Sequence, residues 1–296
     1  MTPPCIACGE PLHESLVRAG MPLHINCEPL LIDPDILASD LFATIGDALI
    51  NQPRSLQRRI GPSEIGIPCD RRIGYILSDT PKVRDETVAW KPAIGTAMHE
   101  LFADMFIKAN MRLVESGNPW RYHVEERVTV GAINGVDITG SCDLFDAWSG
   151  AVWDWKTTSK NQLREKYRPH GPGEQYRTQF QLYGLGWKNR GFTVRTVGGI
   201  FFTRDGEFTD RHVWSEPFDE QVALDALARA NDIAAALGSY GGVLEDLPTG
   251  PAYCGFCSWY RKNASQISVA CPGHPSDEPA TAYPFDDLLP KPGRAA

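Results

Sequence analysis

Two aspartates and a lysine, Asp143, Asp154 and Lys156, fall within the short stretch Gly140 to Thr158. Apolar and β-branched residues on both sides of Trp148-Ser149-Gly150 predict two strands joined by a tight turn. Neighbouring strands then carry Asp143 and Asp154 at similar height near one end of a sheet. Asp154 and Lys156 are two apart, so they share one face of their strand. Two carboxylates and an ammonium converging on one face are costly for a core. A divalent-metal hydrolase needs that grouping: carboxylate oxygens hold Mg2+ or Mn2+, the metal acidifies a bound water, and a lysine orients that water or stabilises developing charge. A solvated hairpin with a surface Asp–Lys pair is the alternative. The apolar flanks Val152, Trp153 and Trp155 favour a mostly buried strand, where unpaired charge is penalised.

The surrounding pattern supplies elements to hold these groups. Helical patterns run from Asp33-Pro34 to about Leu49, with Ile36, Leu37, Phe42, Ile45 and Leu49 as the apolar stripe, and from about Ala93 to Glu115. Strands are expected over 124–130, 136–147 and 151–155, then a helix over 174–190. Strands over about 195–203 and 207–214 flank an Arg204-Asp205-Gly206 hairpin turn. A last helix runs over 219–237, with Leu224, Leu227, Ile233 and Leu237 on one side. This order predicts an α/β domain with a mixed central sheet flanked by helices. Six prolines among the 25 residues after Cys271 predict a disordered tail over 272–296.

Gly-x-x-Asp, a turn and Asp-x-Lys resemble the core of the PD-(D/E)xK nucleases, and in particular the RecB-like branch. Gly95-Thr-Ala-Met-His99 upstream is similar to that branch's Gly-x-x-x-His element, and Gln179-Phe-Gln-Leu-Tyr183 downstream to its Gln-x-x-x-Tyr element. Glu126 is a weaker match to an acidic position before the Asp143 strand. The resemblance implies a restriction-endonuclease-like core and metal-dependent hydrolysis of DNA phosphodiesters. It implies one or two Mg2+ or Mn2+ ions on His99, Asp143, Asp154 and the backbone carbonyl of Trp155. Lys156 then positions the attacking water, and Gln179 and Tyr183 support the phosphate or the lysine.

Cys254 and Cys257 form a C-x-x-C, with Cys271 downstream and Cys69 far upstream. One early and three late cysteines around a nuclease core resemble the iron–sulfur staple of AddB-type and CRISPR-associated exonucleases, and four thiolates suit a 4Fe–4S cluster. Thirteen residues separate Cys257 from Cys271, longer than that pattern expects. A zinc site on the same ligands, or reduced buried thiols, are the other readings. Near the N-terminus, Cys5-x-x-Cys8 and His24-x-x-Cys27 have zinc-ligand spacing, with His13 as a competing ligand. A segment this short, without a core, needs such a metal to fold. Cys142 is expected to be a packed strand thiol. The organisation expected is a zinc module over 1–30, a nuclease domain over 31–271 closed by the iron–sulfur staple, and the tail.

Net charge is −8, which by itself argues against nucleic acid. Locally the balance reverses: residues 156–195 hold nine Lys or Arg against two acids. Arg71, Arg72, Lys160, Arg164, Lys166, Arg168 and Arg177 are therefore candidate DNA contacts, with Tyr167, Tyr176 and Trp187 interleaved. Lys188, Arg190 and Arg195 read instead as a solvated helix face. No apolar run is long enough to span a bilayer, and no signal peptide pattern is present, so a cytoplasmic location is expected. The expected partner is DNA, single-stranded or with free ends, in recombination, repair or replication. Without a P-loop motif, any helicase or recombination partner is a separate chain. The rival readings are a non-catalytic DNA-binding or adaptor protein that keeps the fold and cluster, and a zinc-ribbon interaction protein.

Overall fold

A computed structural model describes residues 2–5, 9–20, 34–50, 60–83, 90–238 and 242–276. The chain divides into two units, residues 1–55 and 56–296. In the first, Cys5, Leu12 and Leu16 form a small buried cluster, and Pro4 pairs with Pro11 in an antiparallel bridge. Helix α1 (Glu14–Arg18) is capped by His13, whose Nδ1 accepts from the Ser15 amide. Of the expected zinc set only Cys5 falls in the described residues; Cys8, His24 and Cys27 lie outside them. Helix α2 (Pro34–Ile50) forms where Asp33-Pro34 predicts it, but Phe42 and Ile45 of its apolar stripe are exposed.

The second unit is built on a five-stranded mixed sheet in the order β1 (Tyr122–Ile133), β2 (Val136–Asp146), β3 (Ala151–Thr158), β4 (Thr196–Thr203) and β5 (Arg211–Pro217). Neighbours are antiparallel except β3 and β4, which run parallel. That parallel pair requires a crossover. It consists of α6 (Lys160–Gln162), a π-helical turn (Leu163–Tyr167), α7 (Arg168–His170) and α8 (Gly173–Asn189). Alternation along β3 turns Asp154 and Lys156 toward α8, where both bond Gln179. It turns Trp155 the other way, against Phe102 and Phe106 of α5 (Trp90–Glu115).

Helix α8 is buried continuously from Thr178 to Trp187, and α9 (Glu220–Gly238) packs beside it. Leu224 is exposed; α9 instead buries Ala223, Leu227, Ala230, Ile233 and Ala234. Two short helices not expected from periodicity, α3 (Pro62–Ile65) and α4 (Asp70–Leu77), contact α8 and α9. The hairpin before β5 is wider than a tight turn. Asp210 accepts from the Glu207 amide and Asp205 from the Lys160 amide, so residues 204–210 form a side-chain-braced loop. The tail beyond residue 276 lies outside the described residues. No described helix is long and apolar enough to cross a membrane.

Candidate active site and four-cysteine pocket

The candidate active site forms where β2 parts from β3. Backbone pairing between them covers residues 144–146 with 151–153. Beyond it a side chain replaces the ladder: Asp143 Oδ2 accepts from the Trp155 amide at 2.7 Å. Gly140, three residues earlier, is needed by close approach, because a Cβ there would meet Pro62 at 2.8 Å and the Tyr183 ring at 3.1 Å.

His99 reaches this fork from α5. It lies on the helical stripe of Phe102, Phe106 and Asn110. Buried Asn110 bonds the backbone of Arg121 and Tyr122 and so fixes α5 to the start of β1. His99 Nε2 lies 3.0 Å from the Trp155 carbonyl oxygen. Its Nδ1 lies 3.3 Å from Asp143 and 3.5 Å from Glu125. Burial disfavours a charged imidazole here, but the bonds to Asp143 and Glu125 outweigh it and push His99 up to about 10.

Asp154 is 1 % exposed. Burial, then the charge of Asp143, push its carboxyl up to about 7, with Lys156 and His99 pulling the other way. Gln179 Nε2 donates to Asp154 Oδ2 at 2.9 Å while its Oε1 accepts from Lys156 Nζ at 3.1 Å. Lys156 Nζ is also 2.6 Å from Asp154 Oδ1. That contact is an ion pair off the hydrogen-bond axis, and Oδ1 has no aligned donor. The lysine stands 4.5 Å from the Tyr176 ring centroid and 5.9 Å from that of Phe180. Burial opposes its charge, and Asp154 outweighs burial, holding the amine above its usual range. Tyr183 lies against the same acids; burial first, then Asp154 and Asp143, raise its hydroxyl well above the ordinary value.

Glu125, not Glu126, is the acid that β1 delivers. Glu125 has φ 50°, a left-handed conformation uncommon for such a residue. It breaks the strand's alternation, so His123 and Glu126, three apart, touch at 2.7 Å. Glu126 is thereby turned to His123 and Arg190. Among the described residues, His99, Glu125 and Asp143 bring one ligand atom each within 4.8 Å of one another. Asp154 stands beside this group, its Oδ1 against the Lys156 ammonium and its Oδ2 bonded by Gln179. That donor set of carboxylates and one imidazole fits a hard divalent cation.

The basic stretch is largely neutralised in three dimensions. Lys156, Lys160, Arg164, Arg177, Lys188 and Arg190 each pair with an acid. Arg71 donates to the carbonyls of Leu244, Glu245 and Leu247, fixing α4 to the C-terminal segment. Arg168 is exposed, and Lys166 bonds the Tyr253 hydroxyl.

The four cysteines expected as one group line one small pocket, together with Arg72, Tyr75 and Tyr260. Its walls come from the loop before α4 and from the segment after residue 249. Gly250 permits their contact, since a Cβ there would overlap the Pro68 carbonyl oxygen. The Cys271 amide donates to the Trp259 carbonyl oxygen at 2.7 Å, and Tyr260 bridges Cys271. The long spacing from Cys257 is thus a closed loop. The His274 amide donates to Cys254 Sγ at 3.2 Å and the Gly273 amide to Cys271 Sγ at 3.4 Å. No three of these sulfurs come within 4.8 Å of one another. Arg72 borders the pocket with a buried Nε that has no hydrogen-bond partner. Cys142 is fully buried in the core, away from the pocket.

The model of the PD-(D/E)XK nuclease superfamily matches residues 62–261, and the chain belongs to that superfamily. A search of curated proteins finds no match. Among solved structures, the chain is similar to a protein described as SSO0001, at 17 % identity and TM-score 0.46, over 80 % of this chain and 96 % of that one. It is similar to an alkaline exonuclease from Laribacter hongkongensis, at 10 % identity and TM-score 0.41, over 66 % and 92 %. A phage-related exonuclease from Haemophilus somnus follows at 15 % identity and TM-score 0.30, over 60 % and 91 %. All three likenesses are distant.

Proposed function

We propose that this protein is a divalent-metal-dependent DNA exonuclease of the RecB-like type, acting in recombination, repair or replication. The observation that carries the reading is the convergence of His99, Glu125, Asp143, Asp154 and Lys156 on one strand fork. The three acids, His99 and the Trp155 carbonyl oxygen are the groups that would hold Mg2+ or Mn2+. Bound there, a divalent cation would supply polarisation of the scissile phosphate and a more acidic water. The chain's own contribution is orientation. Gln179 bonds both Asp154 and Lys156 and so fixes the ammonium where it can direct a water or meet developing negative charge. Tyr183 keeps its proton at working pH and serves as a donor.

The pocket of Cys69, Cys254, Cys257 and Cys271 is proposed to hold a 4Fe–4S cluster. Arg72, with an unmet buried N–H at the pocket, favours an anionic occupant. Cys5, Cys8, His24 and Cys27 are carried as zinc ligands on spacing alone.

The test is cleavage of end-labelled linear single- and double-stranded DNA with Mg2+ or Mn2+. Progressive loss of label from one end is expected, abolished by Asp154→Ala and by Lys156→Ala. Equal activity in wild type and both variants would sink the mechanism. Anaerobically purified protein is expected to contain iron and absorb in the visible. Stoichiometric zinc without iron in that pocket would overturn the cluster.

A further inference from the structure

The loop that delivers Cys254 carries a residue that neither sulfur ligation nor the core explains. Tyr253 has φ 50° and ψ 63°, a left-handed conformation that a bulky residue adopts only under constraint, often at functional sites. Glycine would hold this turn without steric cost. The tyrosine ring is 61 % exposed, and so is Phe256 within the same C-x-x-C. Tyr253 is therefore a strained position whose side chain faces water.

Its ring is oriented rather than buried. Lys166 Nζ donates to the Tyr253 hydroxyl at 2.6 Å and lies 4.4 Å from the ring centroid. Those two distances place the ammonium beside the hydroxyl end, leaving a ring face open. Lys166 belongs to the π-helical turn that follows β3, and such turns are frequent at functional sites. The next residue, Tyr167, lies 6.4 Å from Tyr176 between ring centroids, and Tyr176 stands 4.5 Å from the Lys156 ammonium. A run of contacts thus leads from the candidate active site through buried Tyr167 to the cysteine loop, where Tyr253 and Phe256 are the exposed rings. Open rings interleaved with cations suit unpaired nucleotides, whose bases stack while their phosphates meet the positive charge.

We propose that Tyr253 and Phe256, with Lys166 and exposed Arg168, form a stacking subsite for unpaired nucleotides of the substrate strand. The proposal rests on the nuclease reading of the neighbouring site. It gives the cysteine pocket a task, since closing that loop positions the stacking rings.

The test is fluorescence anisotropy of labelled oligothymidine and of a blunt duplex, in EDTA so that neither is cut. Tyr253→Gly removes the ring without straining the turn, and Tyr253→Phe keeps the ring while losing the hydroxyl. Stacking on one base predicts single-strand affinity about tenfold weaker for Tyr253→Gly. Tyr253→Phe should stay within about twofold of wild type, as should duplex affinity in both variants. Phe256→Ala supplies a second ring deletion outside the strained position, and visible absorbance of each variant reports whether the cysteine loop remains assembled. Unchanged single-strand affinity in Tyr253→Gly and Phe256→Ala with intact absorbance overturns the subsite. So does equal weakening by Tyr253→Gly and Tyr253→Phe. Either result leaves cleavage, and its loss in Asp154→Ala, untouched; retained cleavage in Asp154→Ala overturns the nuclease reading instead.

Discussion

Replacing Lys156 by methionine isolates what the ammonium does. Methionine keeps the length of the side chain and its contact with the Tyr176 and Phe180 rings, and removes only the charge. The lysine is 17 % exposed and its partner Asp154 2 %. Removing one member of a buried pair costs about 3 kcal/mol or more. For a domain of this size that is ~6–12 °C in Tm. The loss depends on pH with a definite sign. The folded-state pKa of Asp154 is raised from 3.8 to about 7, so the stability linked to its protonated form is present at low pH and fades as pH rises toward 7. Lys156 limits that loss, and deleting it raises the Asp154 pKa further. Wild type and variant should therefore differ by less than about 1 kcal/mol at pH 5, where Asp154 is neutral in both, and increasingly above pH 7, by about 1.4 kcal/mol at pH 8. The assay is thermal unfolding in EDTA at both pH values, repeated with saturating Mg2+, alongside DNA cleavage. The cation should recover part of the lost stability by supplying the counter-charge, while cleavage stays about a hundredfold or more below wild type. An equal Tm loss at pH 5 and pH 8, or cleavage near the wild-type rate, would refute the role given to this lysine.

Glu125→Gln should raise the Mn2+ concentration needed for half-maximal cleavage about tenfold, whereas Glu126→Gln should leave it within about twofold; a metal titration of each separates them. Asp146 holds Arg121 in a two-point pair at 2.9 and 2.7 Å, and Asp146→Asn should cost about 2 kcal/mol at pH 7. Burial tends to raise the Asp146 carboxyl but Arg121 outweighs it, leaving the pKa lowered. Its contribution is thus present above the usual carboxylate range and lost as pH falls, so the Tm gap should narrow as pH is lowered below that range. Gly250→Ala should force the Cys69 arm off the later cysteines, read as iron content at least halved with helical circular dichroism retained.

Much of the site was legible because its signals are local. Asp154 and Lys156 share a strand face by two-residue alternation, and Gln179 and Tyr183 share a helix face by i, i+4 spacing. His99 falls on the stripe that buries Phe102 and Phe106. The acid on β1 was misplaced by one residue, since regular alternation cannot foresee a left-handed backbone at Glu125. Charge was misleading for a different reason. The excess over 156–195 is cancelled by Glu126, Asp210, Glu216 and Glu220, acids distant in sequence that only the fold brings alongside. Helices α3 and α4 escaped because each is too short to show a period, and they are held by packing, α3 against α8 and α9 and α4 against α9. Arg71 likewise read as a phosphate contact, while its three carbonyl partners lie more than 170 residues away.

The central claim is that the strand fork hydrolyses DNA with a divalent cation. Its most direct measurement is the cleavage rate of end-labelled linear DNA against Mn2+ concentration, for wild type and for Asp143→Ala. The geometry predicts no cleavage in EDTA, a saturable rise with Mn2+ in wild type, and no rise in the variant. Cleavage that persists in EDTA, or that Asp143→Ala retains at the same Mn2+ concentration, would contradict it.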